Sequence, residues 1–314
     1  MPSEIVSACI KSGSRGVVLV VNGFDRVSAP AVHDFDAYQG YNFPEDQGVP
    51  DHYDINFTGM QFDFNKKSSY RDNDAPGHGA SYADFETKII PGNTSDFIYV
   101  HGEAVKESGW SFASCSDEAV EKGLIALENY DMVDWILGEE RYMPNADSMQ
   151  VIGKTDQYKT ITLVLRTIIA GYLNDGGKMF ISGAYVGTDL NENKLPVDPD
   201  VLFSKKVLKM DWVTNHAVRQ GEVFSADSSF LPVNCKMVFN TGYHPSVYTV
   251  EAPDAINPIH GSRTLLRYLE NNFSAGIGYK GKYGLIVTGF PFETIISGLE
   301  RIKFMKAVLN YLSF

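Results

Sequence analysis

Apolar residues cluster in short, unbroken runs along this chain. Val17-Val18-Leu19-Val20-Val21 follows Gly16 and is closed by Asn22-Gly23. A run of that length stopped by a turn pair predicts a strand buried on both faces, as in a parallel sheet. Phe97-Ile98-Tyr99-Val100-His101-Gly102, preceded by Asp96, reads as a second strand. Met132-Val133-Asp134-Trp135-Ile136-Leu137-Gly138 and Lys178-Met179-Phe180-Ile181-Ser182-Gly183 read as the next two. Between them the period changes. Ile161, Val164, Leu165, Ile168, Ile169 and Leu173 fall on one helical stripe within residues 156–174, and Asp175-Gly176-Gly177 stops it. Ser114-Cys115-Ser116-Asp117-Glu118 carries small capping residues and then acids where a helix dipole favours them, predicting a helix to about Asn129. Residues 188–200 read as a polar loop, and short strands are expected at 236–240, 247–251, 275–280 and 283–289. An amphipathic helix from Glu293 to Leu312 closes the chain.

Strands alternating with helices predict an α/β fold: a mostly parallel central sheet, flavodoxin-like, with helices on both faces. Residues 24–95 break this order. They are rich in Asp, Gly, Pro, Asn and aromatics and show no useful helical period, which predicts a long packed insertion after the first strand. Tyr38, Tyr41, Tyr53, Tyr70 and Trp110 are candidates for stacking on sugar rings, or for a satellite core beneath the loop.

Open α/β sheets bind ligands beyond the carboxyl ends of their strands. The loops expected there carry Asn22, Asp25, Arg26, Glu139, Glu140 and Tyr185 as candidate ligand-binding residues. His101, Glu103 and Glu293 are candidate catalytic residues, since carboxylates in unequal environments beside a histidine can divide acid and base roles. Cys115 joins them as a thiol at an expected helix N-terminus, with His101 as its base. The competing reading makes all of these helix caps, loop braces and packing residues.

Composition narrows the partners. The 314 residues carry a formal net charge of -12 with no cluster of Lys and Arg, which argues against nucleic acid and anionic membrane. No apolar run reaches the ~20 residues that span a bilayer, so membrane insertion is not expected. The three cysteines form no CxxC pair, and Asp72-Asn73-Asp74 lacks the spacing and distal Glu of a calcium loop. Neither a metal nor a cofactor is expected. Met1-Pro2-Ser3 lacks the basic start and apolar core of an export signal, leaving a cytoplasmic chain or one whose targeting segment lies upstream.

Several stretches resemble a known family. Val18-Leu19-Val20-Val21-Asn22-Gly23-Phe24-Asp25-Arg26, Ser111-Phe112-Ala113-Ser114-Cys115-Ser116, Gly176-Gly177-Lys178-Met179-Phe180-Ile181-Ser182-Gly183-Ala184-Tyr185-Val186-Gly187 and Phe290-Pro291-Phe292-Glu293-Thr294-Ile295 look like the C-terminal region of secreted Bacteroidetes proteins. Those proteins are labelled xanthan lyase or N-acetylmuramoyl-L-alanine amidase. The wider resemblance is to class I glutamine amidotransferases, whose strand leads into a G-x-C-x-G elbow and whose downstream F-H-P-E supplies a histidine and a glutamate. Here Gly183-Ala184-Tyr185-Val186-Gly187 has Tyr185 in the cysteine slot, and Gly289-Phe290-Pro291-Phe292-Glu293 keeps Pro and Glu without the His. A phenol with no adjacent base is a poor acyl nucleophile, so no glutaminase activity is expected. The resemblance implies export to the periplasm or cell surface. It also implies that residues 1–14 end an upstream fibronectin type III-like module and that 15–314 form the amidotransferase-like domain. The expected function is an accessory, glycan-associated module meeting polysaccharide or peptidoglycan and neighbouring domains of its parent protein. The alternatives are a polysaccharide lyase or hydrolase with a carboxylate–histidine site, and an interdomain scaffold.

Overall fold

The computed structural model describes residues 6–24, 32–35, 38–41, 67, 97–140, 159–242, 247–250 and 252–313. Its first half follows the parallel grammar. β1 (Val17–Asn22) lies between β4 (Ser111–Ser116) and β5 (Met132–Gly138), and β6 (Lys178–Gly183) continues the sheet toward β13 (Gly284–Thr288), all in parallel. α1 (Phe97–Glu107) precedes β4, the short α2 (Asp117–Glu121) precedes β5, and α3 (Leu163–Asn174) links β5 to β6.

The second half departs from the expected fold. β13 pairs antiparallel with β12 (Ser274–Lys280), β12 with β11 (Arg263–Tyr268), β11 with β8 (Glu222–Ser225), and β8 with β9 (Lys236–Val238). The result is a nine-stranded mixed sheet rather than a mostly parallel one. Connection length is the reason. Parallel neighbours need a crossover of a dozen residues or more, whereas only Gly281-Lys282-Tyr283 joins β12 to β13, which forces a hairpin. β7 (Met210–Thr214) and β10 (Ala255–Pro258) form a separate two-stranded ribbon, as do β2 (Val32–Phe35) and β3 (Tyr38–Tyr41).

Side-chain alternation across the sheet builds two cores. Val18, Val20, Phe180 and Ile286 face one, under α1 and the closing helix α6 (Gly298–Leu312). Leu19, Val21, Met179, Ile181, Leu285 and Val287 face the other, under α3. Both sheet edges are covered. The Cys9 amide donates to the Phe112 carbonyl at 2.9 Å, the Phe112 amide donates to the Cys9 carbonyl at 3.0 Å, and the Ile296 amide donates to the Val238 carbonyl at 2.9 Å.

Several local expectations are corrected. Residues 97–102 are helical, not a strand. Phe97, Ile98, His101, Gly102, Ala104 and Val105 are buried, a period of three to four that six residues were too few to reveal. Gly102 is a contact residue rather than a stop: a Cβ there would fall 2.3 Å from the Phe112 ring. Ser111–Ser116 is an edge strand. Its serines serve the N-terminal segment, Ser7 donating to Ser114 at 2.9 Å and Lys11 to Ser111 at 3.0 Å, instead of capping a long helix. The 188–200 loop contains α4 (Thr188–Asn191) and the start of α5 (Pro199–Lys206). Residues 247–250 are not a strand. Most of the expected 24–95 insertion, with Tyr53 and Tyr70, lies outside the described residues. So do Asp25 and Arg26.

Candidate functional site

α1 enters the first core with His101 on its inner face. β5 carries Met132, Asp134 and Ile136 toward the same side, and the turn Phe292–Thr294 after β13 supplies Glu293. These side chains converge. His101 Nδ1 lies 2.8 Å from Asp134 Oδ2, and Nε2 lies 3.1 Å from Glu293 Oε2. Tyr248 donates its hydroxyl to the other Glu293 oxygen at 2.8 Å. The Phe292 ring meets the imidazole edge-on with centroids 4.5 Å apart. Tyr248 also packs against Phe24 and Phe97, at 5.7 and 5.6 Å.

The cluster is sealed: His101 is 0% exposed, Asp134 and Tyr248 2%, and Glu293 4%. Burial alone would lower the histidine pKa, since charge is disfavoured away from water. The Asp134 and Glu293 carboxylates outweigh it and raise the value from 6.5 to about 9. At neutral pH the ring is an imidazolium with each N–H donated to a different carboxylate. No ring nitrogen is left to accept a proton from a nucleophile, which a general base requires.

A further buried acid, Asp254, holds the end of the 183–187 turn. Asp254 Oδ2 accepts from the amides of Gly187 and Thr188 at 2.6 and 2.9 Å, and Oδ1 accepts from the Thr188 hydroxyl and Trp212 Nε1 at 2.5 and 3.1 Å. Burial pushes this carboxyl up to about 7, although all four donors pull the other way. Tyr185, which the sequence resemblance aligns with the amidotransferase cysteine, is 1% exposed within the first core. The turn meets the end of β5, where Ala184 donates to Gly138 at 2.8 Å, and Gly138 in turn packs against Phe24, just after β1, so closely that a Cβ there would fall 2.1 Å from its ring.

The other candidates separate. Glu103 sits two residues after His101 on α1 and points to solvent, so it is no part of the cluster. Cys115 packs in the second core, across the sheet from His101, which removes the thiol–histidine pair. Asn22 folds back on its own turn, with Phe24 donating to its Oδ1 at 3.4 Å. Glu139 and Glu140 are buried at the end of β5 instead of lining an open cleft. Trp110 is buried with Arg15 over its ring at 5.5 Å, so it offers no free face to a sugar.

No family model matches this chain, and no curated protein matches it. Solved structures give only loose likenesses. An exo-beta-1,4-mannosidase from Opitutaceae bacterium strain TAV5 is 8% identical over 72% of this chain and 33% of its own, with a TM-score of 0.43. A beta-galactosidase from Rahnella sp. R3 is 13% identical over 72% and 29%, at 0.41. A ThuA-like protein from Bacteroides uniformis ATCC 8492 is 12% identical over 70% and 84%, at 0.44. The chain thus spans about a third of the two glycosidases it matches. Superpositions this loose carry no argument about function.

Asp134, Tyr248 and Asp254 were absent from the sequence-based candidates. Asp134 had a signal: a carboxylate inside an apolar strand run must find a buried partner. Tyr248 and Asp254 had none, since their partners lie 45 and 66 or 67 residues away. Among the described residues, no group of three or more His, Cys, Asp or Glu side chains is arranged to hold a metal ion, and no helix is long and apolar enough to cross a membrane.

Proposed function

We propose that this chain is an accessory, glycan-associated module of a secreted cell-envelope or polysaccharide-processing protein, without amidotransferase chemistry. One observation carries the non-catalytic half of this reading. Both nitrogens of His101 are committed to buried carboxylates, so the histidine nearest to a catalytic arrangement has no capacity to activate a nucleophile. The closed elbow supports it: Tyr185 is buried and the Gly187 and Thr188 amides already hold Asp254. Glycan association and export rest on the sequence resemblance alone. The purified chain should release no ammonia from glutamine and should bind cell-wall or plant polysaccharides on a glycan array. Glutamine hydrolysis above that of an H101Q variant, or an array without signal, would overturn the corresponding half.

The adjacency of His101, Glu293 and Tyr248 favours a second reading, a polysaccharide lyase or hydrolase whose site opens on binding. Reducing-end assays on polysaccharides that the array identifies discriminate the two. Turnover lost in both H101Q and E293Q, with binding retained, would replace the accessory reading by the catalytic one.

A further inference from the structure

At the amino ends of β5 and β6, on the α3 side of the sheet, a groove of about 480 Å³ lies between the segment leading into β5, the last turns of α3 and the turn leading into β6. Small-molecule sites commonly enclose ~300–1,000 Å³. Tyr130 and Tyr172 line it, and Glu128, Asp131 and Asp175 supply carboxylates around it. Tyr172 is locked in place. Its hydroxyl donates to the Lys178 carbonyl and accepts from the Lys178 amide, both at 3.1 Å, and its ring lies over Gly177, where a Cβ would approach to 2.5 Å. A ring already fixed loses little freedom when a ligand packs on it.

Gly171 offers a way to fill this space without disturbing the core. It sits inside α3, where glycine is a poor helix former. A Cβ built there meets nothing within 4 Å, so no contact inside the protein demands glycine. The residue also lines the groove, and a larger side chain would enter it.

We propose that this groove binds a neutral saccharide, with the sugar's C–H face on the tyrosine rings and its hydroxyls donating to the carboxylates. Sugar hydroxyls are donors, and ionised carboxylates only accept. Asp131 is partly committed, since its Oδ2 already accepts from the Val17 amide at 2.8 Å, so Glu128 and Asp175 carry most of that recognition. Three carboxylates against Lys178 alone disfavour uronate-bearing or phosphorylated glycans. The inference rests on the glycan-associated reading above and adds the place and the ligand class.

The test is titration calorimetry of the full chain with neutral manno-, cello-, xylo- and N-acetylglucosamine oligosaccharides, and with an oligogalacturonate. The wild type should bind at least one neutral oligomer and bind the oligogalacturonate more weakly. Gly171→Leu should weaken binding at least tenfold while keeping the thermal midpoint at or above that of the wild type, because leucine is the better helix former. Tyr130→Ala should weaken it similarly. Neutral binding unchanged in both variants overturns the groove and leaves the glycan reading standing. Tighter binding of the oligogalacturonate overturns the ligand class. No binding of any glycan, here and on the array, overturns the glycan reading and the groove together.

Discussion

Replacing His101 with glutamine keeps a side chain of similar reach but removes the positive charge between Asp134 and Glu293. Those carboxylates are 2% and 1% exposed at their side chains, so neither finds a substitute counter-ion in water. Removing one partner of a buried ion pair costs ~3–5 kcal/mol, because the remaining charge stays buried. Proton binding gives an independent figure. The His101 pKa rises from 6.5 to about 9 on folding. At ~1.4 kcal/mol per unit, the imidazolium contributes ~3 kcal/mol. The folded chain holds this proton more tightly than the unfolded chain, so the contribution is complete below about pH 6.5 and is lost as pH rises through about 9. Urea unfolding from about pH 6 to about pH 10 should show wild type and H101Q differing by ~3 kcal/mol at the low end and by less than ~1 kcal/mol at the top. The ring nitrogens should titrate with a midpoint near 9 in nitrogen–proton correlation spectra. A difference that stays constant across the range, or one below ~1 kcal/mol at the acid end, would refute the buried imidazolium.

Two further predictions address the elbow and the seat of α1. Asp254→Asn turns an NH₂ toward donors that now meet a carboxylate oxygen; with each unmet buried donor costing ~1–3 kcal/mol, the loss should be ~2–4 kcal/mol by chemical denaturation. Because burial raises this carboxyl to about 7, the folded state binds its proton more tightly, and the wild type should lose stability relative to the variant as pH rises from about 4 to about 7; an equal gap at both ends would contradict this. Gly102→Val drives a side chain into the Phe112 ring, 2.3 Å from the new Cβ, and should cost ~1–3 kcal/mol through overpacking. A neutral result in urea would mean that α1 does not rest on β4 as described.

β1, β5, β6 and β13 were legible because they are almost wholly buried, and a continuous apolar run such as Val17–Val21 closed by a turn pair marks such a strand, whereas β4, with its serines and half-buried positions, read as a helix start. β7, β8, β10 and β11 escaped notice for the opposite reason. They are partly exposed and none carries a continuous apolar run like that of β1. His101 and Glu293 were legible as polar residues beside apolar elements, but their setting was not. Strand grammar places loops at a sheet end without saying whether the space between them is solvent or protein. Here it is filled from afar, by Tyr248 and Asp254 out of the segments between β9 and β10, which local pattern could not bring there.

That filling has a consequence for where recognition can occur. An open α/β sheet leaves its crevice outside the carboxyl ends of the strands, and ligands generally use it. In this chain an imidazolium, two carboxylates and a phenol bond one another between Asp134 within β5 and Glu293 after β13, while Asp254 accepts from the Gly187 and Thr188 amides. A ligand entering there would have to displace bonds already made in a dry interior, where each is costly to lose. Among the described residues, the 128–131 and 175–178 segments at the amino ends of β5 and β6 leave a groove. Among the described residues, displacing those bonds makes that cluster a costlier place to seat a ligand than the groove at the amino ends of the strands.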